Sequence, residues 1–119
     1  MPKPMLQVRI HGPLGITPVF LALVDSGADV SVFHTQVADG LGIDLTAGEH
    51  ATASGVGGLV DVSRCPVTIE VEGHRFAASV LFTDGVDPTQ PLLGRADLFA
   101  EFRIGFDQRN EKLLIGRYR

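Results

Sequence analysis

The residue types best suited to acid-base chemistry stand together at Asp25, Ser26 and Gly27, directly after the four apolar residues 21–24. If residues 21–24 form a buried strand, the Asp25 carboxylate emerges at its end, where an isolated charge is costly unless it is paired or protonated. Carboxyl groups in that state can transfer protons. Gly27 lets a backbone N–H approach the carboxylate, and the Ser26 hydroxyl can bond a neighbouring backbone group. An ordinary Asp-Ser-Gly turn between two strands is the alternative interpretation.

A second candidate segment is rich in glycine. Residues 53–58 read ASGVGG, with three glycines among the last four positions, between two stretches that can pair as strands. Such a tip exposes backbone N–H groups and suits a lid that closes over a ligand. A phosphate-binding loop is disfavoured, because the Lys-Ser/Thr ending of a P-loop and a strand followed by a helix are both missing. A flexible turn without a role is the remaining alternative.

The third candidate segment, residues 91–99, reads PLLGRADLF. Two leucines and Gly94 indicate a backbone that passes close to another part of the chain. Arg95 then stands at the start of a predicted helix, where a positive charge gains nothing from the helix dipole. We therefore expect Arg95 to pair with a carboxylate, with a solvated surface arginine as the alternative.

Composition narrows the classes of protein. With 119 residues, of which 45% are hydrophobic and 20% charged, the chain suits one compact domain and cannot hold a two-domain enzyme. The net charge of −4 and the scattered basic residues argue against nucleic-acid binding. Cys65 is the only cysteine and the four histidines lack ligand spacing, so we expect no disulfide, metal or cofactor. The first twenty residues lack a signal-peptide core and no apolar run could span a membrane, which predicts a soluble cytoplasmic protein.

The elements that would position these segments are mostly strands. Residues 6–11 and 19–24 are expected to form a hairpin, and residues 30–33 another strand. Thr35 is predicted to cap a short helix in which Val37 and Leu41 lie four apart on one face and which ends near Gly42.

The second half of the chain continues this pattern. Three separate strands are predicted at residues 59–62, 67–71 and 76–82, with a turn at residues 72–74. A short helix is expected over residues 95–101, with Leu98, Phe99 and Phe102 as its apolar stripe. Residues 103–107 and 112–118 are predicted to form a closing hairpin.

Taken in this order and at this spacing, the three segments resemble the retropepsin-like aspartic proteases, the family that includes the retroviral proteases. Residues 25–28 (DSGA) are similar to the D-S/T-G-A signature, residues 54–58 to the flap tip, and residues 92–95 (LLGR) to the apolar-apolar-Gly-Arg motif. The resemblance implies an all-β fold in which residues 1–119 make a single-domain, closed β-barrel with a flap hairpin and one or two short helices.

The resemblance also implies residue roles. Asp25 would be the catalytic carboxylate, supported by Ser26, Gly27 and Arg95, with Arg95 paired to Asp29. Substrate contacts would come from Leu23, Gly27, Ala28, Asp29, Val32, Gly55, Val56 and Leu92.

The implied activity is that of an aspartic endopeptidase on extended peptide or protein substrates. This chemistry needs two carboxylates that share a proton, yet the chain has one Asp-Ser/Thr-Gly, so we expect a symmetric homodimer. About five residues precede the first strand, too few for an N-terminal interface strand, and we expect residues 112–118 to supply the intersubunit sheet. A non-catalytic dimeric peptide-binding or assembly module is the alternative function.

Overall fold

The structure is a computed structural model of the 119-residue chain, and it describes residues 5–25, 28–55, 58–86, 88, 91–99, 101–107, 109 and 112–117. Strands predominate, because short stretches of alternating apolar and polar side chains are separated by turn residues. No helix formed by the described residues is long and apolar enough to cross a membrane.

Ten strands and three helical elements make up the described part of the chain. The strands are β1 (Met5–Gly12), β2 (Gly15–Ile16), β3 (Phe20–Val24), β4 (Val32–His34), β5 (Glu49–Gly55), β6 (Gly58–Val71), β7 (His74–Thr83), β8 (Leu92–Leu93), β9 (Phe102–Asp107) and β10 (Lys112–Arg117). The helical elements are α1 (Thr35–Leu41), a 3-10 turn (Leu45–Ala47) and a π-helical turn (Arg95–Phe99).

Six of these strands close into a barrel. Their order is β1-β3-β8-β4-β7-β6, and β6 pairs with β1 to complete the ring. β2 is added to β1, and β5 is added to β6. β9 and β10 pair with each other as a two-stranded sheet of their own. Closure gives each of the six barrel strands two hydrogen-bonded neighbours, which confirms the closed β-barrel expected from the sequence.

The core lies inside the barrel and follows from strand alternation. Leu6, Val8 and Ile10 of β1 are buried, while the residues between them are exposed. Phe33 and Phe82 pack against each other near the centre, with ring centroids 6.2 Å apart. One face of each strand therefore points inward and supplies the hydrophobic contacts that hold the barrel together.

The predicted hairpins are confirmed. β1 and β3 pair antiparallel from Met5 opposite Leu23 to Val8 opposite Phe20. β6 and β7 are joined by a tight turn in which Glu72 and Gly73 have φ of 52° and 76°. β9 and β10 pair throughout, from Lys112 opposite Asp107.

The prediction of separate strands at residues 59–62 and 67–71 is wrong. Both belong to β6, which runs unbroken for 14 residues. The strand includes Pro66, although proline has no N–H to donate to a ladder. In the fold, Pro66 is paired with Ser79 of β7 on one side. On its other side it lies between the part of β6 that pairs with β5, ending at Arg64, and the part that pairs with β1, beginning at Thr68, so no ladder partner faces it there.

The helix at α1 differs from the prediction in its cap. His34, and not Thr35, is the N-cap, and its Nδ1 accepts a hydrogen bond of 3.1 Å from the Gln36 N–H. Leu41 is buried, and Gly42 ends the helix as expected, in the left-handed region at φ 69°. An imidazole acceptor at the N-cap, bonded to an N–H of the first turn, performs the same function as a serine or threonine hydroxyl.

Helical structure is found at both ends of the predicted range 95–101, since Glu101 is also helical, and residue 100 lies outside the described residues. A π-helical turn covers Arg95–Phe99, and Phe102 is already the first residue of β9. Leu98 and Phe102 are both buried, so the apolar residues of the predicted stripe enter the core from two different elements.

Candidate active site

Asp25 lies directly after the last residue of β3, as the sequence predicts. It is half-buried, and its backbone N–H donates a 3.0 Å hydrogen bond to the Leu93 carbonyl. The Asp25 carbonyl in turn accepts from the Ala28 N–H at 3.1 Å, which closes a turn. Ser26 and Gly27 lie outside the described residues.

Residues 91–96, which we call the β8 segment, hold the Asp25 turn on both sides. On the incoming side, the Leu23 N–H donates to the Pro91 carbonyl at 2.8 Å, in addition to the bond between Asp25 and Leu93. On the outgoing side, the N–H groups of residues 95 and 96 donate to the carbonyls of residues 28 and 29 at 2.9 and 2.7 Å. Backbone bonds cannot be lost by side-chain rotation, so this arrangement fixes the position of the turn.

Gly94 allows the β8 segment to lie close to the main chain of Val30. A Cβ built on Gly94 would lie 2.3 Å from the carbonyl carbon of Val30 and 2.4 Å from its oxygen. These are backbone atoms that cannot rotate away. The sequence-based prediction that this glycine marks a close backbone approach is confirmed, and Val30 is the residue approached.

Three apolar candidate residues are brought side by side across adjacent strands. Leu92 of β8 is paired with Leu23 of β3 on one side and with Val32 of β4 on the other. All three are half-buried, while their neighbours Leu93 and Phe33 point into the core. Because paired residues of adjacent strands face the same side of a sheet, the three side chains form one apolar surface next to the Asp25 turn.

The ion pair expected between Arg95 and Asp29 is not found among the ion pairs of the described residues. Both residues are exposed, and the contact between their segments is made by main chain. The Arg95 N–H bonds the Ala28 carbonyl, and the Asp29 carbonyl accepts from Ala96. Within one chain, the two segments are therefore joined by backbone hydrogen bonds and not by the predicted ion pair.

The glycine-rich segment forms the end of a long hairpin. β5 and β6 pair over seven residue pairs, from Glu49 opposite Arg64 to Gly55 opposite Gly58. Val56, the predicted tip contact, lies outside the described residues. The arm of this hairpin is attached to the barrel by Thr83, whose hydroxyl donates to the Asp61 carbonyl at 2.8 Å.

Among the described residues, the other titratable groups form no second candidate site. Burial, and then the nearby Asp44 carboxylate, raises the pKa of the Cys65 thiol, which disfavours the reactive thiolate form. The hydrogen bond from His11, with help from Arg75, lowers the pKa of the Glu70 carboxyl against the smaller opposing effect of burial. Among the residues that the structure describes, no group of three or more His, Cys, Asp or Glu side chains could hold a metal ion.

A family model described as aspartyl protease matches residues 6–96, about three quarters of the chain. The matched range includes the Asp25 turn, the β5–β6 hairpin and the β8 segment. The chain belongs to this aspartyl protease family. A comparison with curated proteins finds no significant match.

Among solved structures, the aspartyl protease chain is similar to the EIAV protease in complex with the inhibitor HBY-793. The two are 29% identical, with a TM-score of 0.61, and the match covers 83% of this chain and 88% of the other. The retropepsin-like fold expected from the sequence is thus confirmed. Family and fold are those of a protease.

One residue of this aspartyl protease that contacts the candidate site, Ser31, is not among the residues predicted from the sequence. Ser31 directly precedes β4 in the sequence and is fully buried. Its Oγ accepts a 3.0 Å hydrogen bond from the Gly94 N–H. A signal existed, since a serine between Val30 and Val32 interrupts an apolar stretch that was interpreted only as a strand. A polar residue in such a place has a hydrogen-bond partner, but the sequence does not identify it.

Proposed function

We propose that this protein is an aspartic endopeptidase that acts as a symmetric homodimer, with Asp25 of one chain facing Asp25 of its partner across the two-fold axis. Each subunit would supply one carboxylate of the catalytic pair. Carboxyl groups this close cannot both ionise readily, so they would share one proton at working pH.

The proposed reaction uses the two carboxylates in opposite roles. The ionised one accepts a proton from a water molecule as the water oxygen attacks the peptide carbonyl carbon. The protonated one donates its proton to the carbonyl oxygen. The tetrahedral diol that results then collapses: the C–N bond breaks, one diol proton passes to the carboxylate that is now ionised, and the carboxyl that took the water proton donates it to the leaving nitrogen.

The observation that carries the proposal is the position of Asp25 in a chain of this family. It stands at the end of β3 with its backbone bonded to Leu93, and its turn is held on both sides by the β8 segment. A carboxylate whose own main chain is held by these bonds meets the requirement that catalytic groups be fixed before substrate arrives. The only Asp-Ser-Gly in the sequence is at this position.

The C-terminal hairpin supports a dimer. β9 and β10 pair with each other, and in the described part of the chain neither pairs with a barrel strand. Exposed strand edges readily pair with another chain. We propose that residues 112–118 form the intersubunit sheet, which would bring the two Asp25 turns together.

An extended peptide is the substrate that these features suit. The surface made by Leu23, Val32 and Leu92 would receive apolar side chains on either side of the bond to be cut. The β5–β6 hairpin would act as the flap, with Gly55 and Val56 lying over the substrate. Its backbone N–H groups could bond the peptide main chain, as in strand addition to a sheet edge.

The activity is tested with a mixed peptide library, incubated from about pH 4 to pH 7 and analysed by mass spectrometry. The wild-type protein, Asp25→Asn and Asp39→Asn are compared. Asp39 is an exposed residue of α1, outside the Asp-Ser-Gly segment, so it is a matched control for the loss of one carboxylate. Cleavage should disappear in Asp25→Asn and persist in Asp39→Asn.

Two results would overturn the proposed activity. Cleavage by Asp25→Asn at the wild-type rate would remove Asp25 from the mechanism. No cleavage by the wild-type protein would favour the non-catalytic peptide-binding module. Dimerisation is tested separately by light scattering at micromolar concentration, where an active protein that is wholly monomeric would contradict the shared site.

A further inference from the structure

Ser31 is the most deeply buried polar side chain among the described residues. Three polar residues are buried there, and Ser31 is 0% exposed, against 3% for Thr83 and 8% for Ser63. Its main chain is already committed to the barrel, because the Ser31 carbonyl accepts a 2.9 Å hydrogen bond from the Leu81 N–H. A fully buried hydroxyl needs a hydrogen-bond partner to be tolerated.

One hydrogen-bond partner of the Ser31 hydroxyl lies in the β8 segment. The Gly94 N–H donates to Ser31 Oγ at 3.0 Å, and both groups are buried. The absence of a Cβ on Gly94 is what permits the approach, since a methyl group there would overlap the main chain of Val30. The Gly94 N–H therefore bonds a side chain, whereas the Leu93 carbonyl and the Arg95 N–H on either side of it bond other backbone groups.

Three consecutive residues of the β8 segment thus make three consecutive contacts around the Asp25 turn. The Leu93 carbonyl accepts from the Asp25 N–H, the Gly94 N–H donates to Ser31 Oγ, and the Arg95 N–H donates to the Ala28 carbonyl. Ser31 makes the middle contact. The bonds before and after it depend on where Gly94 is placed.

We propose that Ser31 is a positioning residue for Asp25: its hydroxyl fixes Gly94, and the residues that flank Gly94 fix the main chain of the Asp25 turn. Ser31 touches neither substrate nor the reacting atoms. Its effect on catalysis rests on the proposed function, whereas its effect on the Asp25 main chain does not.

Loss of the hydroxyl should act through the spacing of the two carboxylates. Removing Oγ leaves the Gly94 N–H buried without this acceptor, and the β8 segment can shift to reach another. The interaction between two carboxyl groups falls with distance, so a looser turn would bring their two apparent pKa values closer together. The pH–rate profile of the enzyme should therefore change shape, an effect that a general loss of stability does not produce.

The test compares Ser31→Ala, Ser31→Thr and Ser79→Ala as full-length proteins. Ser31→Thr keeps the hydroxyl, and Ser79→Ala removes a hydroxyl from β7, where its partner is the exposed Arg64. On a peptide that the wild type cleaves, Ser31→Ala should lower kcat by about tenfold or more with KM within about twofold, and should narrow the pH profile. Ser31→Thr should recover most of kcat, and Ser79→Ala should match the wild type.

Amide hydrogen exchange gives a readout that needs no activity and still applies if a variant is unstable. In Ser31→Ala the Gly94 and Asp25 amides should exchange about tenfold faster, relative to the Ile69 amide of β6, which reports global opening. Unchanged relative exchange at Asp25 would overturn the proposal, as would wild-type kcat together with a wild-type pH profile in Ser31→Ala. If the wild type cleaves no peptide, the proposed function fails, and the exchange at Asp25 still decides the role of Ser31.

Discussion

Replacement of Gly94 by alanine tests the close approach on which the candidate site depends. The new methyl carbon would lie 2.3 Å from the Val30 carbonyl carbon, whereas ordinary contacts lie between 3.4 and 4 Å. The two main chains would therefore have to separate by about 1 Å or more. Overpacking of this kind costs about 1–3 kcal/mol, and each hydrogen bond displaced at Asp25 or Ser31 adds about 1 kcal/mol.

The expected loss in the free energy of unfolding for Gly94→Ala is thus about 3–5 kcal/mol. With an unfolding entropy of about 2 cal/mol/K per residue, this lowers Tm by about 12–20 °C. The assay is thermal and urea denaturation followed by circular dichroism, at one fixed protein concentration because the Tm of a dimer depends on concentration.

Gly40→Ala is the matched control. Gly40 lies in α1, and a Cβ built on it meets nothing within 4 Å. Alanine should stabilise the helix there by about 0.5–1 kcal/mol, so the same chemical change should raise Tm by a few degrees. In both variants alanine lowers the conformational entropy of the unfolded chain, so the difference between their Tm values reports on the folded state. A Tm for Gly94→Ala within about 3 °C of the wild type, or equal losses in both variants, would refute the reasoning.

Three further outcomes are expected. Deletion of residues 111–119 removes β10 and should convert the dimer to monomer in light scattering; a surviving dimer would exclude this strand as the main interface. Because His11 holds the pKa of Glu70 below its usual value of 4.5, the stability that Glu70 contributes is present above that value and is lost as pH falls through the lower folded-state pKa. The difference in unfolding free energy between wild type and Glu70→Gln should therefore shrink in acid, and a difference independent of pH would contradict this. His34→Ala should cost about 1 kcal/mol in urea denaturation through loss of the α1 cap, with His34→Asn close to wild type; equal stability of all three would show that the cap contributes nothing.

Some features of the candidate site could be predicted from the sequence, and others depend on contacts between distant parts of the chain. The position of Asp25 at the end of β3 was predictable because a carboxylate after four apolar residues is a local pattern, and the close approach at Gly94 because a glycine follows two leucines. Ser31 was not predictable, since its partner is 63 residues away in sequence. The Arg95–Asp29 pair was expected from complementary charge, yet both side chains are exposed and the main chain makes the contact.

The sequence by itself determined the local elements of this protein: alternation placed the strands, turn residues separated them, and the order of three motifs indicated the family. Only the tertiary structure decided that β8 inserts between β3 and β4, that β6 continues through Pro66 and returns to β1, and that Ser31 meets Gly94. The physical reason is that alternation and turn chemistry act over a few residues, whereas pairing between distant strands depends on closure of the whole barrel.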